Sequence, residues 1–336
     1  MQGLRNMASE LITDLLDKAI AARLALLDDR HETAFRLFNG FSEGYPTLVI
    51  DVYATTAILN NYADPAPAGL PSVQAACQHL QASLPWIRTM VLKTRHSASG
   101  EKRCGVPLHG AGNDRRVKEH GVWYAVDLCM NQDASFYLDT RNLRQWALKS
   151  LKGKTVLNTF AYTGSLGVAA RAGGAARVVQ LDLNPEYLSL ARDSYALNAF
   201  PVIRNDIRAG DFWPQISQFK SEGERFDCVI IDPPVYSETG KGVVDLATDS
   251  TRLINKVRPL INSGGYLVTI NNALFLSGKA YWESLNGLCA DGYLKLRELV
   301  PVPPDCTGYP QTTVSPPVTD PAPFNHSTKI AILEVR

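Results

Sequence analysis

Residues 155–184 read TVLNTFAYTGSLGVAARAGGAARVVQLDLN. Val156 and Leu157 begin a short apolar run, and the chain then turns from Asn158 to Gly164 past two aromatics, Phe160 and Tyr162. Small residues at helical spacing follow, then a second apolar pair, Val178 and Val179, and an acid, Asp182. Strand, glycine turn, helix, strand and acid is the order of a nucleotide-binding βαβ unit.

A dinucleotide turn needs three glycines at G-x-G-x-x-G, so that backbone can approach a pyrophosphate. This turn has one glycine and bulky aromatics, which suits a ligand without phosphates, with an amino-acid tail and a flat adenosine. Asp182 stands about twenty residues past the turn, where an acid can accept both ribose hydroxyls. The combination points to S-adenosylmethionine rather than NAD.

A second site follows the run Phe226–Ile231, which reads as a buried strand and ends in Asp232-Pro233-Pro234-Val235-Tyr236. Two φ-fixed residues there would hold carbonyls rigidly beyond the strand, with Tyr236 near enough to stack a planar base. Two prolines are also an ordinary strand stop. Between the two sites, Asn205–Phe212 places Asp211 before Phe212, after a strand-like Pro201–Ile203. Asp211 can reach an adenine amino group, or cap a helix over Trp213–Phe219, or both.

The whole chain has 336 residues, 45% hydrophobic and 20% charged, with a net charge of +1. That is ample for a core and for two domains. The near-zero net charge excludes nothing about a polyanionic partner, because a basic patch can sit inside a neutral total. Cys77, Cys104, Cys129, Cys228, Cys289 and Cys306 form no C-x-x-C pair, so neither zinc nor a disulfide framework is expected. Early acids (Glu10, Asp14, Asp17) and the lack of a long apolar run suggest neither a secretory signal nor a membrane span, hence a cytoplasmic protein.

Upstream, Ser9 is a candidate cap for a helix to about Leu27. Strands are expected at Ala34–Phe38, Thr47–Tyr53, Thr55–Asn61 and Thr89–Thr94, with a helix over Ser72–Ser83. From Lys93 to Lys118 the chain is rich in cations. Lys93, Arg95, Lys102, Arg103, Arg115 and Arg116 make either a solvated loop or an arm for RNA phosphates. Further strands are expected at Val122–Leu128 and Phe136–Leu138, then a helix over Leu143–Leu151 capped by Asn142 or Asp139. A small α+β domain over residues 1–120 would thus precede a larger one over 121–336. Near the end, Pro301–Pro323 holds eight of the twenty prolines and reads as an extended excursion rather than a helix, a covering loop or a lip over the substrate. It lies between strands expected at Tyr293–Val300 and Thr328–Val335.

From about Val122 to Ser237, the runs VDLCMNQDASFYLDTRNLR, GKTVLNTFAYTGSLGVAA, GGAARVVQLDLNPEYLSLAR, NDIRAGDF and FDCVIIDPPVYS resemble the class I S-adenosylmethionine-dependent methyltransferases. More narrowly, they resemble those that modify cytosine C5 or guanine N7 in large-subunit ribosomal RNA. The resemblance implies an α/β, Rossmann-like, seven-stranded and mostly parallel sheet with an antiparallel final hairpin. It implies cofactor contacts from Phe136, Asp139, Asn158, Phe160, Tyr162, Thr163, Gly164, Asp182, Leu183, Asn184, Asp211 and Phe212. Asp232, Pro233, Pro234 and Tyr236 would face the acceptor.

One departure matters. Cytosine C5 methylation needs a thiolate to add to the ring. The next strand, Gly265–Asn272, carries Asn271 and Asn272 where relatives place cysteine, and Cys228 lies within its own strand as core packing. A ring or exocyclic nitrogen of an RNA base is therefore the favoured acceptor. A small-molecule or protein methyltransferase, or a non-catalytic RNA-binding relative, stands as the alternative, since fold does not fix substrate. The RNA-binding PUA module of many relatives is not evident, and oligomeric state stays open, a homodimer included. His326 is a candidate for substrate contact or for a structural role.

Overall fold

The computed structural model describes residues 2–246 and 250–336, with side chains from Glu10 onward. The chain forms two compact units. One comprises residues up to Leu138 together with Pro303–Pro316; the other comprises Asp139–Val302 and Pro317–Arg336. The division expected after residue 120 thus falls after Leu138, and the first unit also takes in a segment from near the end of the chain.

In the first unit a helix spans Gln2–Ala22. It begins upstream of Ser9, whose side chain lies outside the described residues, and stops short of Leu27. Ile12, Leu16 and Ala19, spaced along one helical face, are fully buried. Strands β1 (Ala34–Asn39), β2 (Leu48–Tyr53), β3 (Thr56–Asn61), β4 (Thr89–Thr94) and β5 (Val106–His109) make a five-stranded sheet in that order. All its neighbours are antiparallel except β3 and β4, which run parallel and therefore need a crossover. The helix Leu70–Ser83 supplies it. β6 (Arg116–Glu119) and β7 (Val122–Ala125) pair as a separate hairpin, so the strand expected to reach Leu128 stops at Ala125. Phe136–Leu138 is irregular rather than a strand, and Ser135 before it has φ 57°.

Residues 303–316 complete this unit. They are not wholly extended, since Pro304–Thr307 makes one helical turn. Asp305 is fully buried and its Oδ2 accepts from the Arg36 N–H at 2.9 Å. The Asn39 amide donates to the Cys306 carbonyl at 2.7 Å. Arg23, 1% exposed, donates to both oxygens of Glu43 at 3.0 Å and to the Asp305 carbonyl at 3.3 Å, with the Tyr309 ring 5.1 Å from its guanidinium carbon. A buried charge is tolerable only when its donors are matched in this way.

The second unit contains β8 (Thr155–Thr159), β9 (Arg177–Asp182), β10 (Ile207–Ala209), β11 (Phe226–Ile231), β14 (Ile261–Asn271), β15 (Leu294–Leu299) and β16 (Lys329–Val335). The hairpin strands β12 (Tyr236–Thr239) and β13 (Gly242–Asp245) stand apart. The seven-stranded order is β10-β9-β8-β11-β14-β16-β15. In that order β10, β9, β8, β11 and β14 pair in parallel, while β16 runs antiparallel to both neighbours, giving the expected antiparallel final hairpin. The middle strand β11 is buried on both faces: Cys228, Val229, Ile230 and Ile231 are at most 1% exposed. Such unbroken apolar runs mark a parallel sheet covered on both sides.

Several local expectations shift. The strand after Asn198 is Ile207–Ala209, not Pro201–Ile203. The helix expected from Leu143 starts at Arg141 with Thr140 at its N-cap, so neither Asn142 nor Asp139 caps it. Residues 317–323 return against the helix Gly278–Cys289, where the Gly278 N–H donates to the Asp320 carbonyl at 2.9 Å. A Cβ on Gly278 would lie 1.7 Å from the Pro321 oxygen, so only glycine admits that approach.

Candidate active site

In a doubly wound sheet the ligand crevice lies beyond the carboxyl ends of the parallel strands, at the point where strand order reverses. Here that point lies between β8 and β11, and the sequence motifs leave the strands there. After β8 the chain enters the left-handed region at Phe160 (φ 53°), Tyr162 (φ 51°) and Gly164 (φ 77°). Two non-glycine residues in that region cost roughly 1–3 kcal/mol each and need outside support.

Asp182 supplies part of it. Its Oδ2 accepts from the Tyr162 N–H at 2.7 Å and its Oδ1 from the Asn184 N–H at 2.9 Å. Burial raises its pKa, and the backbone donors of Asn184, Tyr162 and Leu183 oppose that rise. Three donors leave lone-pair capacity on the carboxylate, so the group can brace the turn and still accept from a hydroxyl.

Support also comes from beneath. Gln180, fully buried in β9, donates from Nε2 to the Gly164 carbonyl at 3.0 Å and accepts from the Asn158 amide at 2.8 Å. A Cβ at Gly164 would fall 2.6 Å from Ala191 Cβ and 2.9 Å from Gln180 Nε2. Asn158, only 1% exposed, is therefore part of the turn's foundation rather than its surface. Gln180 escaped the sequence reading because a polar residue at that strand position resembles any other.

The aromatics form two pairs. Phe160 stacks on Phe212 with centroids 4.7 Å apart, and Tyr162 meets Tyr187 edge-on at the same distance. Asp211 caps the helix Phe212–Ser221, its Oδ1 accepting from the Trp213 N–H at 2.9 Å. Asn184 likewise caps the helix Pro185–Leu197 through the Glu186 N–H at 2.8 Å. Thr163 is buried, and Leu183 is exposed beside them.

Asp232 follows β11 directly and is half-buried. Burial, followed by repulsion from the Asp139 carboxylate, pushes its pKa up to about 7. Asp139 is held by the Thr328 hydroxyl, which donates to Oδ2 at 2.7 Å. Pro233 is buried, Pro234 exposed, and Tyr236 projects from β12 with its hydroxyl donating to Glu238 at 3.0 Å. The His326 ring accepts from the Thr328 N–H at 3.1 Å through Nδ1. The Cys228 thiol is fully buried, and burial drives its pKa upward. At the end of β14, Asn271 is buried and Asn272 exposed.

The remaining candidates lie in the first unit. Phe136 is buried against Tyr124, 5.0 Å between centroids, and its carbonyl accepts from the Tyr53 hydroxyl. Among the basic residues, Lys93 is corrected. It is 1% exposed, donates to the carbonyls of Asn131 and Asp133 at 2.9 and 2.7 Å, and burial lowers its pKa to about 8. It cannot reach a phosphate. Arg95 and Arg103 are engaged by nearby carbonyls. Lys102, Arg115 and Arg116 are exposed, Arg115 beside Asp127 at 3.2 Å and Arg116 over the Trp123 ring at 4.5 Å. Among the described residues no group of acids, histidines or cysteines could hold a metal ion, and no helix is long and apolar enough to cross a membrane.

Comparison with known proteins agrees with this geometry. The chain is 29% identical over 76% of its length to the ribosomal RNA large subunit methyltransferase I of Shewanella frigidimarina, covering 65% of that protein. It is 28% identical over 77% to a protein of Bacillus subtilis described as ribosomal RNA large subunit methyltransferase YwbD, again covering 65%. The chain thus spans about two-thirds of the length of these relatives. Its fold matches a crystal structure described as a methyltransferase complexed with SAH, with TM-score 0.83 and 22% identity, covering 97% of this chain and 82% of that one. Residues 35–286 match the family model of the S-adenosylmethionine-dependent methyltransferases, and the chain belongs to that family.

Proposed function

We propose that the protein methylates a nitrogen of a base in RNA, with ribosomal RNA the favoured substrate, and that it does so in the cytoplasm. The observation that carries the reading is the pairing of two turns at one edge of the sheet: the braced turn Phe160–Gly164 with Asp182, and the rigid Asp232–Tyr236 turn after the adjoining strand. S-adenosylmethionine, when bound, supplies an electrophilic methyl group on a sulfonium.

The chain's own residues divide the remaining work. Asp182 accepts from a ribose hydroxyl, the Phe160–Phe212 pair offers an apolar wall, and the backbone from Tyr162 to Gly164 meets the amino-acid tail. Alignment and exclusion of water are most of what such a displacement requires of a protein. Asp232 and the Pro233 and Pro234 carbonyls orient the acceptor. Because the Asp232 carboxyl titrates near neutrality, it can take the proton that the acceptor nitrogen must lose. The exposed cations of the first unit, Lys102, Arg115 and Arg116, would add salt-sensitive contacts to phosphate.

Nitrogen is favoured over cytosine C5 because a thiolate is wanting where it would act. Cys228 is sealed inside β11, and asparagines stand at the end of β14. A base within a duplex would have to be extruded, so a loop or single strand is the favoured context. Nucleoside mass spectrometry of total RNA after methylation in vitro tests this directly. An N-methylated nucleoside is expected. A 5-methylcytidine product refutes the assignment of the acceptor atom, and label on protein or small molecules alone refutes RNA.

A further inference from the structure

The carboxyl edge carries one more surface that the proposal above does not use. β14 runs beside β11 in parallel, with Thr269 opposite Ile231, so the segments leaving the two strands emerge as neighbours. One is Asp232–Tyr236. The other is a tight turn, residues 273–276, closed by the Leu276 N–H donating to the Ala273 carbonyl at 3.3 Å. Its tip holds Leu274 and Phe275. Phe275 is 81% exposed, more than any other large hydrophobic side chain among the described residues. Asn272 is exposed immediately before it.

A single exposed apolar side chain ordinarily needs no explanation. This one is unusual because its turn is anchored. The fully buried Asn271 accepts from the Ala273 N–H at 3.0 Å, and its amide donates to the Leu246 carbonyl at 3.2 Å and the Ser250 hydroxyl at 3.0 Å. The Leu246 N–H in turn donates to the Val235 carbonyl at 2.9 Å. From the other side, buried Lys329 donates to the Ala273 carbonyl at 3.0 Å. A continuous run of hydrogen bonds therefore ties the Asp232–Val235 turn to the turn that bears Phe275. The backbone that carries the ring is held in place rather than left as a loose loop.

We infer that Phe275 is a stacking platform for an unstacked nucleobase of the RNA substrate, with the Asn272 amide meeting that base's polar edge. This rests on the RNA-base reading above. The occupant is a base because the turn carries a flat exposed ring three residues from an exposed amide, beside the strand end that bears the acceptor turn. Tyr236, 59% exposed, is the second aromatic at that edge. Stacking on an aromatic is tolerant of base identity, whereas the amide can discriminate.

The test compares the parent chain with F275A, F275L and F275W, using tritiated S-adenosylmethionine and unmodified ribosomal RNA, with cofactor affinity measured by calorimetry. F275A is expected to raise KM for RNA about ten- to hundredfold, the range that base–aromatic stacking supplies. Cofactor affinity should stay within twofold, and F275W should recover most of the loss while F275L does not. F275A kinetics within twofold of the parent, or recovery by F275L equal to that by F275W, overturns the platform and leaves RNA methylation standing. A parent that binds S-adenosylmethionine but labels no RNA overturns the reading beneath it and the platform together.

Discussion

Gln180→Leu removes the foundation of the cofactor turn without altering the turn's own residues. Leucine is close to glutamine in volume, so the change opens little cavity, and its cost lies in hydrogen bonding. Two partners lose a bond: the Gly164 carbonyl, which keeps the one from the Val168 N–H at 2.9 Å, and the Asn158 amide. Both are buried, and Asn158 Oδ1 already has no partner among the protein atoms. A buried neutral group left unpaired costs about 1–3 kcal/mol, and the Asn158 amide is the one group left so, which predicts a loss of about that size. That is a large share of the roughly 5–15 kcal/mol available to a domain. Urea denaturation of the parent and variant reads the loss as a lower midpoint at an unchanged slope. Calorimetry should also show S-adenosylmethionine binding at least tenfold weaker, because the left-handed residues lose a tie. The double variant Asn158→Val with Gln180→Leu gives a sign as well as a size. It removes the orphaned amide, so it should be more stable than Gln180→Leu alone by about 1–3 kcal/mol. A single variant within 0.5 kcal/mol of the parent and with unaltered cofactor binding (a threshold near the usual scatter of surface substitutions) would refute the reasoning. So would a double variant that is merely the sum of its parts.

Asp182→Ala takes away the acceptor for the Tyr162 and Asn184 N–H groups as well as the proposed ribose contact, and should abolish S-adenosylmethionine binding; unchanged calorimetric affinity sinks that assignment. With the Asp232 carboxyl titrating near 7, kcat/KM should climb between about pH 6 and pH 8 as the carboxylate forms, and Asp232→Asn should flatten the climb. The same group binds its proton more tightly folded than unfolded, so its ionisation costs stability as pH rises from about 4 to about 7. Asp232→Asn should therefore gain stability relative to the parent at pH 8 compared with pH 4, measured by denaturation at both. Neutralising Arg115 and Arg116 together should lower the slope of log affinity for RNA against log salt by about 2, while Lys93→Met, which removes a buried cation, should leave that slope alone. A slope that responds to Lys93 instead would overturn the placement of the RNA contacts.

Much of the second unit was legible because its signals are local. Val229, Ile230 and Ile231 ending on Asp232 can hardly be anything but a buried strand stopping at a sheet edge, and Asp211 before Phe212 and Trp213 reads as the helix cap it is. The first unit hid more. Lys93 was read with its charged neighbours as surface, because nothing in its sequence shows that the carbonyls of Asn131 and Asp133, far along the chain, converge on its amine. β5 and β6 lie hidden inside the same basic stretch: β5 buries no residue and contains Pro107, while the charges of Arg116, Lys118 and Glu119 mask the alternation of β6. The left-handed backbone at Phe160 and Tyr162 was invisible for another reason. Neither residue favours it, and it persists only through Asp182 and the neighbouring structure. Gln180 and Asn271 share that blindness: each is a buried polar side chain whose meaning lies in its partners.

The segment Pro303–Pro316 has a consequence for the order of events during synthesis. Residues up to Leu138 emerge from a ribosome long before the segment that finishes their core, so for that interval Arg23 lacks the Asp305 carbonyl and the ring of Tyr309. The Arg36 N–H and the Asn39 amide wait for the same arrival. The first unit therefore cannot reach its final state in vector fashion, although N-terminal domains generally fold first. Its completion is deferred until after nearly all of the methyltransferase sheet has been made, and only β16 follows it. Protease resistance of stalled chains should rise in the first unit only once residue 316 has cleared the exit tunnel.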